Sequence, residues 1–465
     1  MPFFLTATIS MILVLGIMVL VHELGHFIAA KFFGVRVEVF SIGFGTRLFG
    51  FRHGDTDYRV CILPLGGYVK MTGEMTGDPR DEADQQKPLD PWDFTAKPRW
   101  QRMIIGFAGP LANFLLAFAL MTGLYMMHNE VPKFVSEPAV LDFVPANTPA
   151  AKAGLKPGDK IIRIDSSPAN PTWNQVRIHA ALDANSTIPV TVARTVNGKT
   201  MDIQTEIYIS DPSKGQNFQL STSGLIPRVQ NTPPKVAMVE SGFPAAKAGL
   251  KVGDEIAGIN GVALHSVQAI IPYLQENGKK PVTLTVLRNG KTLHMTMTPK
   301  WGGDGDGKMG YRLGFGAEPP PYKVEQLPFL AAARKSAVIN VHYSGYILDV
   351  LHRLVTHRST FEQLSGPIGI AQQTGEAVEQ SSWQPIIGLM ALISLNLGIM
   401  NLLPIPILDG GLITLLIIEE ILRHDLKPEV KERLYQAAFV MLVLFFAFVM
   451  FNDVAKLNIF SKLKL

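Results

Sequence analysis

Four stretches of the chain stay apolar for long enough to cross a bilayer, which takes roughly twenty helical residues. They run from about Phe3 to Phe33, Met103 to Met127, Pro385 to Leu408 and Ala437 to Phe451, the last borrowing neighbours to reach full length. After the first stretch the period changes. Val35, Val37 and Val39 alternate with polar residues, and "DYRVCILPLGGYVKM" follows a His53-Gly54-Asp55 turn, so residues 34–71 read as a β-hairpin or small sheet. This region is apolar for a surface loop. It is either a plain hairpin or a sheet dipping into the membrane interface, where non-helical backbone survives only if protein buries it or water reaches it. The polar run from Thr72 to Pro91 reads as a surface loop. Residues 325–360 mix aliphatic and basic side chains and predict an amphipathic helix lying on the outer interface, or else a connector.

A repeat sits between the second and third apolar stretches. "PAAKAGLKPGDKI" begins at Pro149 and "PAAKAGLKVGDEI" at Pro244, and "VARTVNGKT" (Val192 to Thr200) is echoed by "VLRNGKT" (Val286 to Thr292). The repeat predicts two similar α/β domains, 129–222 and 223–318, each with an Ala-rich helical turn, a Gly-Asp turn, an alternating strand, a helix and a hairpin closed at Asn-Gly. The doubled "AGLKxGD" followed by an Ile-rich strand resembles PDZ domains of the bacterial, permuted kind. Two unrelated β-rich domains sharing one turn would be the alternative.

Composition fits this picture. Of 465 residues, 47% are hydrophobic and 18% charged, which points to a membrane protein with soluble parts. The net charge of +4 and the lack of a basic stripe, zinc finger or stacking platform argue against a nucleic-acid partner. The single cysteine, Cys61, can form no internal disulfide and no Cys-based metal site, and reads as a small apolar filler. Lys and Arg crowd the loop between the first two spans (Lys31 to Arg102) and the loop between the last two (Arg423, Lys427, Lys431, Arg433). Both loops are therefore expected on the cytoplasmic side, with both termini and the repeat domains outside. Lys456, Lys462 and Lys464 argue the other way. A cleaved signal peptide fits the first stretch poorly, since no Lys or Arg precedes Lys31 and His22 and Glu23 interrupt the apolar run.

The resulting order is a first span over 1–33, the β-rich region and loop over 34–102, a second span over 103–128, and the two repeat domains. A linker with the amphipathic helix follows over 319–383, then a third span over 384–412, a loop over 413–434, a fourth span over 435–453 and a tail over 454–465.

The candidate chemistry begins at "HELGH". His22 and His26 are four residues apart, so on a helix they share a face and can hold one metal, with Glu23 beside them over a reacting water. Titratable groups inside a bilayer cost at least about 2.5 kcal/mol each, so three in one span call for a partner such as a divalent cation. A pair of histidines satisfied by neighbouring helices is the plainer reading. A catalytic zinc site needs a third protein ligand. Only the third span offers a carboxylate, Asp409 in "NLLPIPILDGG", where Pro404 and Pro406 stop a regular helix and let the chain bend. Asp409 as a helix cap is the alternative. Asn401, just before the broken stretch, can donate and accept, which suits it either to clamp an extended backbone or to bind a neighbouring helix. Asn113 and Asn396 read as packing residues.

"HELGH" in the first span, "NLLPIPILDGG" in the third and the paired PDZ-like repeats between spans two and three resemble the site-2 protease family of intramembrane metalloproteases. "GFAGPLANF", "PLGGYVKM" and "LSGPIGIAQ" agree with it, and no motif position departs from the pattern. The resemblance implies a polytopic α-helical membrane protein of four transmembrane helices with a membrane-associated β-sheet and two tandem permuted PDZ domains. It implies one Zn2+ held by His22, His26 and Asp409, Glu23 as general base and acid, and Asn401 as a substrate clamp. The implied substrates are single membrane-spanning segments, among them anti-sigma factors and remnant signal peptides, cut in a bacterial inner membrane, with peptide ends bound at the PDZ domains. A membrane-anchored PDZ scaffold or peptide sensor with a merely structural metal would share the architecture but would not need Glu23. A metal transporter would need polar groups in more than two spans.

Overall fold

The computed structural model describes residues 3–74, 90–211, 218–303, 309–356, 366–380 and 382–456. The chain forms two compact units. The first gathers the chain up to Asn129, Glu325–Val355 and the segment from Leu364 onward, and the second is essentially Glu130–Val324.

In the first unit, α1 (Phe3–Phe32) is followed by β1 (Val37–His53), β2 (Thr56–Met71) and α2 (Arg99–Met126). After the second unit come α3 (Phe329–Thr356), α4 (Pro367–Glu379), α5 (Gln384–Asn401), α6 (Asp409–Leu422) and α7 (Pro428–Lys456). Among the described residues four helices are long and apolar enough to span a membrane: α1, α2, α5 and α7. Helix α1 shows why. Phe4, Leu5, Ile9 and Leu13 are exposed, whereas Ala7, Val14, Met18, His22, His26 and Ala30 form one buried stripe at helical spacing. The exposed aliphatic side fits lipid and the stripe faces the other helices.

The third span differs from the sequence expectation. Residues 384–412 are not one helix: α5 stops at Asn401, a turn occupies 402–408, and α6 restarts at Asp409. Pro404 and Pro406 lack the N–H groups that a continuous ladder needs. The turn is packed so closely that a Cβ on Gly410 would meet Leu402 O at 2.2 Å, and one on Gly411 would meet Ile405 O at 2.0 Å. Residues 413–422, expected as loop, belong to α6. One side of helix α3 packs within the first unit: Ala332 joins Met121, Leu124, Tyr125 and Ala391 in a buried cluster, and Tyr343, Ile347 and Leu351 pack on Ala117, Leu395 and Ile399, while Leu330, Val338, Val341 and Val355 stay exposed. Most of the polar loop expected over Thr72–Pro91 and the tail beyond residue 456 lie outside the described residues.

The hairpin region is a sheet of four arms. Residues 37–42 pair antiparallel with 67–71 on one side and with 57–60 on the other, while 47–53 pair with 56–61. The arms arise because each long strand bends back on itself, β1 at Gly43 and Gly45 (φ 89° at both) and β2 at Gly66 (φ 138°), conformations open to glycine. Near the bends Phe44, Leu48, Phe49, Phe51, Ile62 and Leu63 are exposed, an apolar rim that suits a bilayer rather than water. Among the described residues, 67–71 pair with a strand on one side only, leaving an edge.

The second unit carries the repeat as structure. In each copy a short strand (Lys160–Ile164; Glu255–Ile259) pairs with the first arm of a hairpin (Thr187–Val196 with Lys199–Tyr208; Val282–Arg288 with Lys291–Met297), and a helix (Trp173–Leu182; Ile270–Asn277) packs beside it. Both hairpins close at Asn-Gly with positive φ, at Asn197-Gly198 and Asn289-Gly290. The two halves of the sequence repeat meet in a shared clasp. Arg194 donates from Nε and Nη2 to Asp159 at 2.7 Å each and to Gly154 O, and Arg288 donates likewise to Asp254 at 2.6 Å each and to Gly249 O. The Arg288 guanidinium holds the Asp254 carboxyl below its usual range.

Candidate metal centre

The site forms where α1, α2, the α5–α6 turn and the sheet edge converge. Helices α1 and α2 approach closely at Gly25, where a Cβ would meet Ala108 O at 2.2 Å. On α2, Arg102, Ile105, Gly106, Gly109 and Asn113 are buried on one face at helical spacing. Gly109 leaves room for the imidazoles: a Cβ there would lie 2.2 Å from His26 Nε2 and 2.8 Å from His22 Cε1.

His22 Nε2 lies 3.2 Å from Asp409 Oδ2, His26 Nε2 lies 3.3 Å from Asp409 Oδ1, and the two Nε2 atoms are 3.2 Å apart. Both histidines are buried, and the three residues could together hold one metal ion. Donors about 2 Å from a common centre in a tetrahedron stand about 3.3 Å from one another, so these separations fit a zinc site. Asp409 Oδ2 supports the same conclusion, because it is buried without a hydrogen bond although His22 Nε2 is near. Such an orphan oxygen is costly unless a cation takes it.

The second nitrogen of each imidazole is also held. His26 Nδ1 lies 2.8 Å from Ile105 O, and since a carbonyl only accepts, Nδ1 carries the proton and Nε2 keeps its lone pair. His22 sits between two amides, with Asn113 Nδ2 3.1 Å from Nδ1 and Asn401 Nδ2 3.2 Å from Nε2. A neutral imidazole has one N–H and one lone pair, so both amides cannot donate to it. Asn113 is fully buried and its Oδ1 has no partner. A half-turn of its amide lets Oδ1 accept from Nδ1–H and leaves Nε2 free for a metal. Asn113 thus does more than pack. Replacing it by Ala is expected to weaken zinc affinity by about 10–100-fold in a competitive chelator titration. Asp, which only accepts, is expected to retain it.

Glu23 lies on the other side of the site, against the sheet. A Cβ on Gly67 would come within 3.4 Å of Glu23 Cγ, and Tyr68, Val69 and Met71 share a cavity of about 320 Å3 with His22, Glu23, His26 and Asp409. Asn401 and Glu74 line it too. Burial pushes the Glu74 carboxyl up to about 7. The sequence-predicted residues His22, Glu23, His26, Asp409 and Asn401 therefore meet in one cavity. Those the sequence missed, Asn113 and Gly109, stand on the face of α2 that ends the Gly106–Gly109 spacing.

Comparison with known proteins gives this geometry its chemistry. The model of peptidase family M50 matches residues 10–445. The chain belongs to that family. It is similar to a regulator of sigma E protease of Salmonella typhi (32% identical, covering 96% of this chain and 98% of the relative). It is similar also to the regulator of sigma-E protease RseP of Escherichia coli (33%, covering 98% and 99%) and to a putative zinc metalloprotease of Vibrio cholerae (32%, covering 97% and 98%). The chain is thus an M50 metalloprotease of the site-2, intramembrane class, its metal is zinc, and its spanning helices make it an inner-membrane protein.

Proposed function

We propose that this M50 peptidase cleaves single-pass transmembrane segments, including an anti-sigma factor already trimmed outside the membrane and remnant signal peptides. His22, His26 and Asp409 hold one Zn2+, and Glu23 serves as general base and acid. The observation that carries this reading is the shared cavity, in which a buried His/His/Asp donor set, the Glu23 carboxylate and the strand edge 67–71 face one another.

A peptide bond in a transmembrane helix has its carbonyl bonded within the helix and shielded by side chains. Opening it frees backbone groups that need partners in a dry medium. The edge 67–71 supplies them by adding the substrate as a further strand, and Asn401 offers an amide to the same extended chain. Zinc, when bound, supplies Lewis acidity toward the scissile carbonyl and lowers the pKa of a reacting water. Glu23 takes the proton from that water and delivers it to the leaving nitrogen. The Lys/Arg-rich loops support an active site toward the cytoplasmic side, with the termini and the second unit periplasmic.

The second unit is a tandem of permuted PDZ domains, supported by the repeated strand, helix and Asp–Arg clasp. In the second copy a groove of about 700 Å3 runs between the helix Ile270–Asn277 and residues 309–317, a place for a peptide end. The pair acts as a size gate toward untrimmed substrates.

Chelation tests the enzyme against the scaffold. Stripping the metal from the purified protein is expected to end cleavage of a single-spanning test substrate while the helical circular dichroism spectrum persists, and zinc is expected to restore cleavage. Loss of the fold on chelation would favour a structural metal.

A further inference from the structure

The two copies of the repeat in the second unit align through Pro149 and Pro244, so Asp142 corresponds to Ala237 and Phe143 to Met238. In the second copy Ala237 and Met238 are exposed, whereas in the first Asp142 and Phe143 are buried. A carboxylate at position 142 is therefore no requirement of the fold of a single copy. What covers it is the other copy.

Asp142 Oδ2 accepts the backbone N–H of His265 at 2.9 Å, and Oδ1 lies 2.8 Å from His265 Nδ1, which donates here because a carboxylate only accepts. Arg228, on the segment joining the copies, brings Nε within 3.7 Å of the same oxygen. Apolar side chains meet at the same place. The strands Leu141–Phe143 and Ile226–Pro227 pair as a short ribbon. Leu141 and the adjoining Leu225 belong to the core of the first copy, but Phe143 and Ile226 belong to the core of the second. Phe143 meets the Tyr273 ring edge-on at 5.8 Å, on the helix Ile270–Asn277 that walls the peptide groove. Apolar contact alone sets no orientation, since one greasy contact can be traded for another. A buried carboxylate is different, because it is costly unless its donors keep their distance and angle.

We infer that Asp142 is a positioning residue for substrate selection: its bonds to His265 lock the two copies into one rigid body, and the locked shape sets which outer tails are admitted. This rests on the size-gate reading, because a gate whose halves swing cannot discriminate by size. A cavity of about 790 Å3 lies between the copies, walled by Trp173 and Arg177 of the first and by Ile271 and Gln275 of the second. Its width is fixed only while the lock holds.

Two measurements on the full-length protein in detergent separate the lock from the gate. Double electron–electron resonance reads the lock. Spin labels are carried by Lys199→Cys and Lys291→Cys, exposed positions on the hairpins of the two copies, with the buried Cys61 replaced by Ala. One narrow distance distribution is expected with Asp142 in place, and a broad one in Asp142→Ala. His265→Asn, whose amide donates from the place of Nδ1, is expected to keep the distribution narrow, and His265→Ala to broaden it. Selectivity reads the gate, as the cleavage rate of a single-spanning segment with a short outer tail divided by that of the same segment with a folded outer domain. Asp142→Ala is expected to lower this ratio by about fivefold or more, through faster cutting of the bulky substrate alone. Unchanged cutting of the short-tailed substrate reports an intact enzyme. If tryptophan fluorescence shows that Asp142→Ala unfolds the second unit, the partly exposed His265→Ala carries both measurements. Narrow distributions in folded Asp142→Ala and His265→Ala overturn the lock. A broadened distribution with an unchanged ratio leaves the lock standing and refutes the size gate.

Discussion

Glu23→Gln is expected to keep a full complement of zinc and to lose cleavage of a membrane-spanning substrate by about 10^2–10^4-fold. The side chain lines the metal cavity but is not among the three convergent donors, so an amide of the same shape leaves the ligands undisturbed. What it removes is the acceptor for the water's proton and the donor for the leaving nitrogen. The assay is turnover in detergent alongside zinc per chain by elemental analysis. Loss of metal together with activity would make Glu23 a ligand, and full activity would remove it from the mechanism.

Gly109→Ala is expected to abolish zinc retention, an effect as large as deleting a ligand. The added Cβ would sit 2.2 Å from His26 Nε2, well inside contact distance, so an imidazole or a helix has to shift. Metal bonds tolerate only about 0.2 Å of misplacement. Gly123 on the same helix is the control, since a Cβ there meets nothing within 4 Å. Gly123→Ala is expected to bind zinc as the wild type does. Equal zinc contents in the two variants would show that α2 does not wall the site.

The parts of the site that carry charge were legible in the sequence. His22, Glu23 and His26 stand out because titratable groups are expensive inside an apolar helix, and Asp409 because two prolines free it from the helix before it. The neutral parts were not. Asn113 carries no charge and sits in a stretch as apolar as any span, so only its spacing from Gly106 and Gly109 on one face hints that it meets the histidines. The break after Asn401 was hidden for a related reason. Hydropathy counts side chains, and the turn at 402–408 is as greasy as the helices on either side, so α5, the turn and the start of α6 read as one span. The sheet was visible as alternation, but not its bends. Those depend on Gly43, Gly45 and Gly66 adopting positive φ, and they decide that 67–71 is the edge beside Glu23.

The most direct test is X-ray absorption at the zinc edge of the purified full-length protein. A first shell of nitrogen and oxygen at about 2.0–2.1 Å is expected, with outer-shell scattering from two imidazoles, and Asp409→Ala is expected to lose an oxygen scatterer while both imidazoles remain. Sulfur scattering at about 2.3 Å, or a spectrum that Asp409→Ala leaves unchanged, would contradict convergence of His22, His26 and Asp409 on one ion.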